Sequence, residues 1–448
     1  MAQLGEVCQL ATGEKPSEVG ARRAVPDVSP ATIARISRRI VPFFLLLYVV
    51  NFLDRVNVGF AALQMNRDLG FGPEVYGFGA GIFFLGYVLF EIPSNLVLRR
   101  VGSRVWLSRI MITWGLIAMA AAFTNGRNSF YVLRLLLGVA EAGFVPGMIY
   151  YLADWFPARE RARVIAKIWS ATAIAIVVGS PISGLISQLD GILGLPAWRW
   201  IFLLEGLPAL VMGFVSFFYL SDEPTGAAWL APEERAALSA QIAREHEASD
   251  AHGLSGFKQA LSSGRVWALA ILYFCIGIGF FGITLWLPQI VKQLSGLGTT
   301  EVSLITTIPF LLAAGAMILN ARHSDRTGER RWHLACPLLV GAFGLAGSGL
   351  SSSPIMALVS LCIAAMGMWS SIGVFWSVPT AFLRGTAAAG GLALINSIGG
   401  LGGFVGPYLI GLVRSLTPDF SVALLGLSVS VCLAALLAAV LPQTSSAR

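Results

Sequence analysis

"HSDRTGERR", residues 323–331, is a short basic turn set between two long apolar runs. A second basic stretch, "LRRVGSR" at 98–104, occupies the same setting earlier in the chain. Placing Gly102 against Gly328 gives an offset of 328 − 102 = 226 residues. A separate pair gives the same spacing: "GSPISG" (179–184) and "VGPYLIG" (405–411) align through Pro181 and Pro407, and 407 − 181 = 226. Two independent matches at one offset mark an internal duplication, with each copy forming half of the fold.

Composition says what kind of halves these are. The chain has 448 residues, is 56% hydrophobic and only 12% charged, and has a mean hydropathy of +0.74. A soluble domain is about 25% charged, so this is the composition of a polytopic membrane protein. A bilayer core about 30 Å thick takes roughly 20 apolar residues per helix. Such windows fall near 40–61, 76–98, 105–123, 130–153, 164–188, 200–220, 266–291, 301–321, 333–350, 354–376, 386–413 and 420–441. They predict an all-α membrane protein of twelve transmembrane helices in two pseudo-symmetric six-helix halves, residues 40–220 and 266–441. Residues 1–39 are polar, lack an apolar signal-peptide core and read as a disordered cytoplasmic tail. Residues 221–265 form a cytoplasmic central loop, and 442–448 a short cytoplasmic tail. Within the loop, "APEERAALSAQIAREHE" (231–247) reads as an amphipathic helix with Pro232 in its first turn. That helix is either a tether along the membrane face or a docking site for a partner.

Short-loop charge sets the orientation. One set of loops holds Arg35, Arg38 and Arg39; Arg99, Arg100 and Arg104; Arg159, Arg161, Arg163 and Lys167; Arg322, Arg326, Arg330 and Arg331; and Arg384. The other set holds Arg67, Arg127, Arg199, Lys292 and Arg414, one per loop. The first set is expected in the cytoplasm, which places both termini inside and agrees with an even number of spans.

Several functions are excluded on the same footing. The five cysteines are scattered without CxxC spacing and read as small apolar packing residues. The four histidines fall in or beside polar loops, which removes a histidine proton relay within the membrane and argues against a metal site. The net charge of +7 sits in short loops where topology explains it, so no nucleic-acid partner is expected. No GxxxxGK[ST] phosphate loop is present, and no cofactor is called for. Transport work must then come from an ion gradient or from the solute's own gradient.

Full charges inside the spans point to function, because each costs about 2.5–3.5 kcal/mol at a helix centre on insertion scales. Asp54 and Arg55 lie in the first span, and Arg134 and Glu141 in the fourth. Glu91 and Glu205 lie nearer the ends of the second and sixth spans; Glu91, close to Arg99 and Arg100, reads as structural. The last six spans carry no comparable central charge: at the 226 offset, Arg134 corresponds to Ser360 and Glu141 to Gly367. Seven residues along a helix put Arg134 and Glu141 on one face about 10.5 Å apart, too far for a simple pair. An arrangement crossing the helices, carboxylate to guanidinium, is therefore expected. Gly399, Gly400, Gly402, Gly403 and Gly406 crowd the eleventh span, for tight packing or for a flexing gate.

With its two basic turns and twelve spans, the chain resembles the major facilitator superfamily over nearly all of residues 36–441. The second turn keeps the family's Asp325, Arg326 and Gly328, which implies a conformational role for that loop. The first turn has Arg99 where the family has Asp and Asn95 where it has glycine. Further stretches resemble the anion:cation symporter group: "LDRVNVGFA" (53–61), "EIPSNLVLRRVGSRVWLSRIMITWG" (91–115), "LRLLLGVAEAGFVPGMIYYLADWFP" (133–157), "WRWIFLLEG" (198–206) and "NSIGGLGGFVGP" (396–407). Members of this group import organic anions with protons. The resemblance implies that Arg55 binds a substrate carboxylate, with Arg134 tuning the acid or helping to hold the anion. It implies that Asp54 and Glu141 carry the protons, and that Tyr87, Trp376 and Asn396 line the cavity. Phe52 stands where some relatives have Tyr, which tilts the expectation toward a less hydroxylated or aromatic anion.

The expected mechanism follows from these residues. Arginine stays charged when desolvated and matches a carboxylate with its planar fork. Protonation of an acid frees its arginine, the anion takes the vacated place, and the loaded cavity remains neutral. Loaded and empty states can then cross between outward and inward forms, while half-loaded states bury a net charge. The expected partners are a small organic carboxylate, protons and the lipid bilayer of a bacterial inner membrane, with the protein acting as a monomer. The alternatives are proton-coupled efflux by a member of the same superfamily and a transport-dead anion receptor. An enzyme is not expected, since no nucleophile–base pair or metal constellation appears.

Overall fold

The computed structural model describes residues 28–169, 171–250, 261–383 and 385–441. Cys8, His252, Arg384 and both tail ends lie outside the described residues. Among those described, twelve helices are long and apolar enough to cross a membrane. We number them as spans: 1 (Pro30–Asp68), 2 (Pro73–Val101), 3 (Ser103–Phe123), 4 (Arg127–Trp155), 5 (Ala158–Leu189), 6 (Ala197–Tyr219), 7 (Gly264–Ser295), 8 (Thr299–Thr327), 9 (Arg331–Leu350), 10 (Pro354–Thr380), 11 (Gly390–Leu416) and 12 (Ser421–Val440).

Every expected apolar window falls on one of these helices, and the largest difference is at the start of span 1. Its helix begins at Pro30, where the Ser29 side chain accepts a hydrogen bond from the Thr32 N–H at 3.1 Å. Residues 30–39, read from polarity as tail, are therefore helical. Serine followed by proline is a capping signal that hydropathy does not register. This extension meets the helix Pro232–Asp250 of the central segment. Thr32 Oγ1 donates to Glu234 Oε1 at 2.9 Å, and Arg35 Nη1 to Glu234 Oε2 at 2.7 Å. The Ala231 N–H and the Thr32 hydroxyl hold the Glu234 carboxyl below its usual range. Arg161, at the start of span 5, pairs with Glu245 at 3.4 Å. The central helix is thus strapped to the N-terminal half, as a tether would be.

The duplication is visible in the packing. Span 2 lies on span 4 and span 3 on span 6; in the second copy, span 8 lies on span 10 and span 9 on span 12. Across the seam, span 2 meets span 11, span 5 meets span 8, and span 1 meets span 7. Exchanging each span for its copy six places on returns the same contacts, which is what a pseudo-twofold axis requires.

One end of this seam is shut by small residues. A Cβ on Gly77 would stand 2.6 Å from the Pro407 carbonyl oxygen, and one on Gly59 would stand 2.9 Å from that of Leu285. Gly184 approaches Ser303 just as closely. Tyr76 Oη donates to the Leu285 carbonyl at 2.7 Å between halves, and within the C-terminal half Trp286 Nε1 donates to the Pro407 carbonyl at 3.0 Å. All of these positions lie at the end opposite the 323–331 turn, toward which a cavity between the halves opens.

A central cavity with one deep arginine

Span 4 is broken at the point that matters. Its first helix ends at Glu141 and its second starts at Phe144. Gly143 adopts φ +88°, a left-handed conformation that glycine tolerates. Pro146 has no N–H to continue the ladder back to Ala142. A side chain at 143 would also strike Ser94 Oγ at 2.3 Å, so this glycine is fixed by packing and backbone alike. The break leaves Glu141 at the end of a helical segment, fully buried, facing span 1.

Arg55 meets it there. Its Nε donates to Glu141 Oε1 at 2.6 Å, its Nη2 reaches the same oxygen, and Asn51 Nδ2 donates to it at 2.8 Å. Glu141 Oε2, by contrast, has no hydrogen-bond partner among the described residues. The Arg55 guanidinium carbon lies 4.9 Å from the centre of the Tyr87 ring, within cation–π range. The expected crossed pairing of span 1 with span 4 is therefore present once.

The second pairing is not. Asp54 accepts from Trp114 Nε1 at 2.8 Å and from Asn57 Nδ2 at 2.9 Å, and it is 1% exposed. Arg134 donates to the carbonyls of Gly79 and Ala80 at 3.4 and 3.3 Å, and its Nη1 has no partner among the described residues. Neither residue lines the cavity. The reason is rotational: Asp54 is about 100° round the helix from Arg55 and faces span 3 instead. Arg134 is drawn onto the backbone of span 2, with the Phe83 ring 5.0 Å from its guanidinium carbon. Arg134 is thus held away from the cavity in this form.

The cavity holds about 730 Å³ between the halves, within the usual range for small-molecule sites. Arg55, Tyr87, Trp376 and Asn396 all line it, and so does Phe52. Glu91 was misread. It does not turn to the arginines at 99 and 100; it faces the cavity and accepts from Asn396 Nδ2 at 2.9 Å, across the seam from span 11. Its partner is 305 residues away, so no local pattern could have revealed the contact. Glu205 is likewise interior, accepting from Ser183 Oγ of span 5 at 2.6 Å.

With this geometry in hand, comparison with known proteins is decisive. Residues 44–407 match the family described as Major Facilitator Superfamily. The chain belongs to the Major Facilitator Superfamily. A protein of Agrobacterium vitis named "Putative tartrate transporter" is 48% identical, over 94% of this chain and 93% of its own length. A "Quinolone resistance transporter" of Acinetobacter baumannii is 39% identical, over 90% and 93%. Among solved structures, the inward open form of the xylose transporter of E. coli superposes with a TM-score of 0.74, covering 91% of this chain and 97% of that one at 17% identity. This chain is thus a multi-pass membrane transporter and not an enzyme.

The superfamily's loop signature is built differently in this transporter's two halves. In the second, Gly328 takes φ +70°, Arg330 Nη1 donates to Asp325 Oδ1 at 2.7 Å, and Arg326 is exposed. In the first, where Arg99 replaces the acid, Asp222 substitutes from beyond span 6. It accepts from the Arg104 N–H at 2.8 Å and lies against Gly102, whose φ is +96°. Sequence reasoning missed Asp222, because it lies outside the repeated turn.

Proposed function

We propose that this transporter imports a small organic carboxylate in symport with protons, acting as a monomer by alternating access. The observation that carries the reading is Arg55: it is the one guanidinium deep in the cavity among the described residues, and its partner Glu141 is a buried acid with one oxygen unused. A substrate carboxylate offers Arg55 a two-oxygen match, where Glu141 now serves it with Oε1 alone. A proton on Glu141 releases the guanidinium, so anion and proton enter the site together. Asp54, held by neutral donors from Trp114 and Asn57, is the second acid. Arg134 acts on it through space and through the position of span 2, without touching the anion. Tyr87, Trp376 and Asn396 flank the substrate.

The loop-charge rule places the arginine-rich end in the cytoplasm. With that orientation the form described is inward-facing, sealed on the outside by the glycine contacts of spans 1, 2 and 5. Closing the cytoplasmic end brings Asp325, Arg326 and Gly328 toward the other half, which gives that loop its conformational role. The names of relatives support an organic anion as cargo. Efflux is the rival reading, favoured by the quinolone-resistance relative.

Glu141→Gln separates coupling from binding. In proteoliposomes with an imposed pH gradient, the variant should lose proton-driven accumulation of a labelled carboxylate and keep counterflow exchange. Accumulation at the wild-type level would remove Glu141 from the proton path. Accumulation driven only by a gradient of the opposite sign would favour efflux.

A further inference from the structure

Resting on the carboxylate-transport reading, we infer that the chamber selects an aryl monocarboxylate and that Glu91 turns dianions away. Two features of the wall carry this. The first is its rings. Phe52, Phe84, Tyr273, Phe280, Trp369 and Trp376 all face the cavity. Several pack in pairs: Phe280 and Trp369 have ring centres 4.1 Å apart, and Tyr273 and Trp376 5.0 Å apart. Phe84 reaches across the seam to Phe281 at 4.4 Å. Phe52 is three residues before Arg55 on span 1 and lines the same cavity, and the Tyr87 ring lies 4.9 Å from the guanidinium carbon. A ligand gripped at Arg55 therefore projects its body into stacking surfaces. A small polyol acid offers these surfaces nothing, and its hydroxyls give up water without gaining enough partners.

The second feature is charge. Among the described residues on the wall, the cations are Arg55, Arg322 and Arg330. Arg322 and Arg330 lie at the mouth, where Arg330 is paired with Asp325. In the deep chamber a second substrate carboxylate would find no second guanidinium. It would find Glu91 instead, with one oxygen held by Asn396 and the other, Oε2, buried and unpartnered. The Asn396 amide is already engaged by Glu91 and is not free for the ligand. An unpaired acid placed against the competing ligand is selection by repulsion. One anchoring cation, a ring-lined body and an opposing acid together describe a monoanion on an aromatic ring.

Three probes test this with the full-length protein: benzoate, phthalate and tartrate. Phthalate adds a second carboxylate to the same ring, and tartrate removes the ring. Binding is read by quenching of tryptophan fluorescence in detergent, and transport by uptake of the labelled acids into proteoliposomes. Wild type should bind benzoate about tenfold or more tightly than either dianion, the scale of one well-made discriminating contact. Glu91→Gln keeps a side chain for Asn396 and loses the charge, so the phthalate-to-benzoate ratio should rise at least fivefold while the tartrate deficit persists. Phe52→Tyr should act on tartrate and leave phthalate as it was. Tartrate binding as tightly as benzoate in wild type would overturn the inference and leave carboxylate transport standing. Equal binding of benzoate and phthalate in both wild type and Glu91→Gln would overturn the role of Glu91. No binding of any of the three by folded protein would bring down the carboxylate reading itself.

Discussion

The two halves share one architecture and divide the chemistry between them. The N-terminal half holds the interior charges: the buried Asp54, Arg134, Glu141 and Glu205, the half-buried Arg55 and the cavity-facing Glu91. The C-terminal half brings no deep charge to the same cavity and lines it with rings, from Tyr273 and Phe280 to Trp369 and Trp376, which face Phe52, Phe84 and Tyr87 of the first half. At the duplication's offset, Arg134 becomes Ser360 and Glu141 becomes Gly367, and a Cβ on Gly367 would lie 2.4 Å from the Gly341 backbone. The position that carries a buried acid in one copy is, in the other, a point of close helix contact. The lesson is that a duplicated scaffold preserves packing geometry and leaves each copy free to specialise. The deep charges stay in one half, while both halves supply ring surface.

The sharpest way to break that division is Arg55→Ala. Anion binding should fall by more than about 100-fold, since a bidentate charged contact is lost. Folding stability should fall by about 3–5 kcal/mol, because Glu141 is left buried without its partner. Adding Glu141→Gln should restore much of the stability and none of the binding, measured by thermal unfolding and ligand titration on the single and double variants. Substrate binding retained in Arg55→Ala would remove charge recognition from the N-terminal half.

An intermediate effect belongs to the ring side. Trp376→Ala removes a ring packed between Tyr273 and Trp169, whose centre lies 5.8 Å away. Affinity should drop by about 5- to 15-fold, matching about 1–1.5 kcal/mol for an aromatic contact. Its pH dependence should stay that of wild type, because no titrating group is touched. A shifted pH profile would mean that the rings and the charges are not separable.

The smallest effect sharpens the comparison at the loops. Asp222→Asn weakens the acceptor of the Arg104 N–H and should cost about 1 kcal/mol or less in a melting experiment, with transport retained. Asp325→Asn, on the turn that lines the cavity mouth, should slow transport more than it lowers stability. Equal behaviour of the two variants would show that the loops do the same job despite different construction.

How much of this could be read beforehand depends on range. The twelve spans were legible because apolar length is a local property and lipid demands it. The pairing of span 1 with span 4 was legible as a requirement, since a buried guanidinium must have an acceptor. That Asp54 and Arg134 would not form the second crossed pair was not. Asp54 is adjacent in sequence and faces span 3, while Glu141 is brought round by a helix break at Gly143. Glu91 was misassigned to neighbouring arginines because its partner, Asn396, belongs to the other half. Asp222 went unseen because it replaces a motif residue from outside the motif.

The sequence by itself determined the membrane class, the duplication, the span count and the set of interior charges, for these follow from composition, period and desolvation cost. Only the tertiary structure decided which charges pair, which face the cavity, and which end is sealed. Those depend on the rotation of each helix about its axis and on contacts between residues hundreds of positions apart, and neither quantity is written in any local stretch of chain.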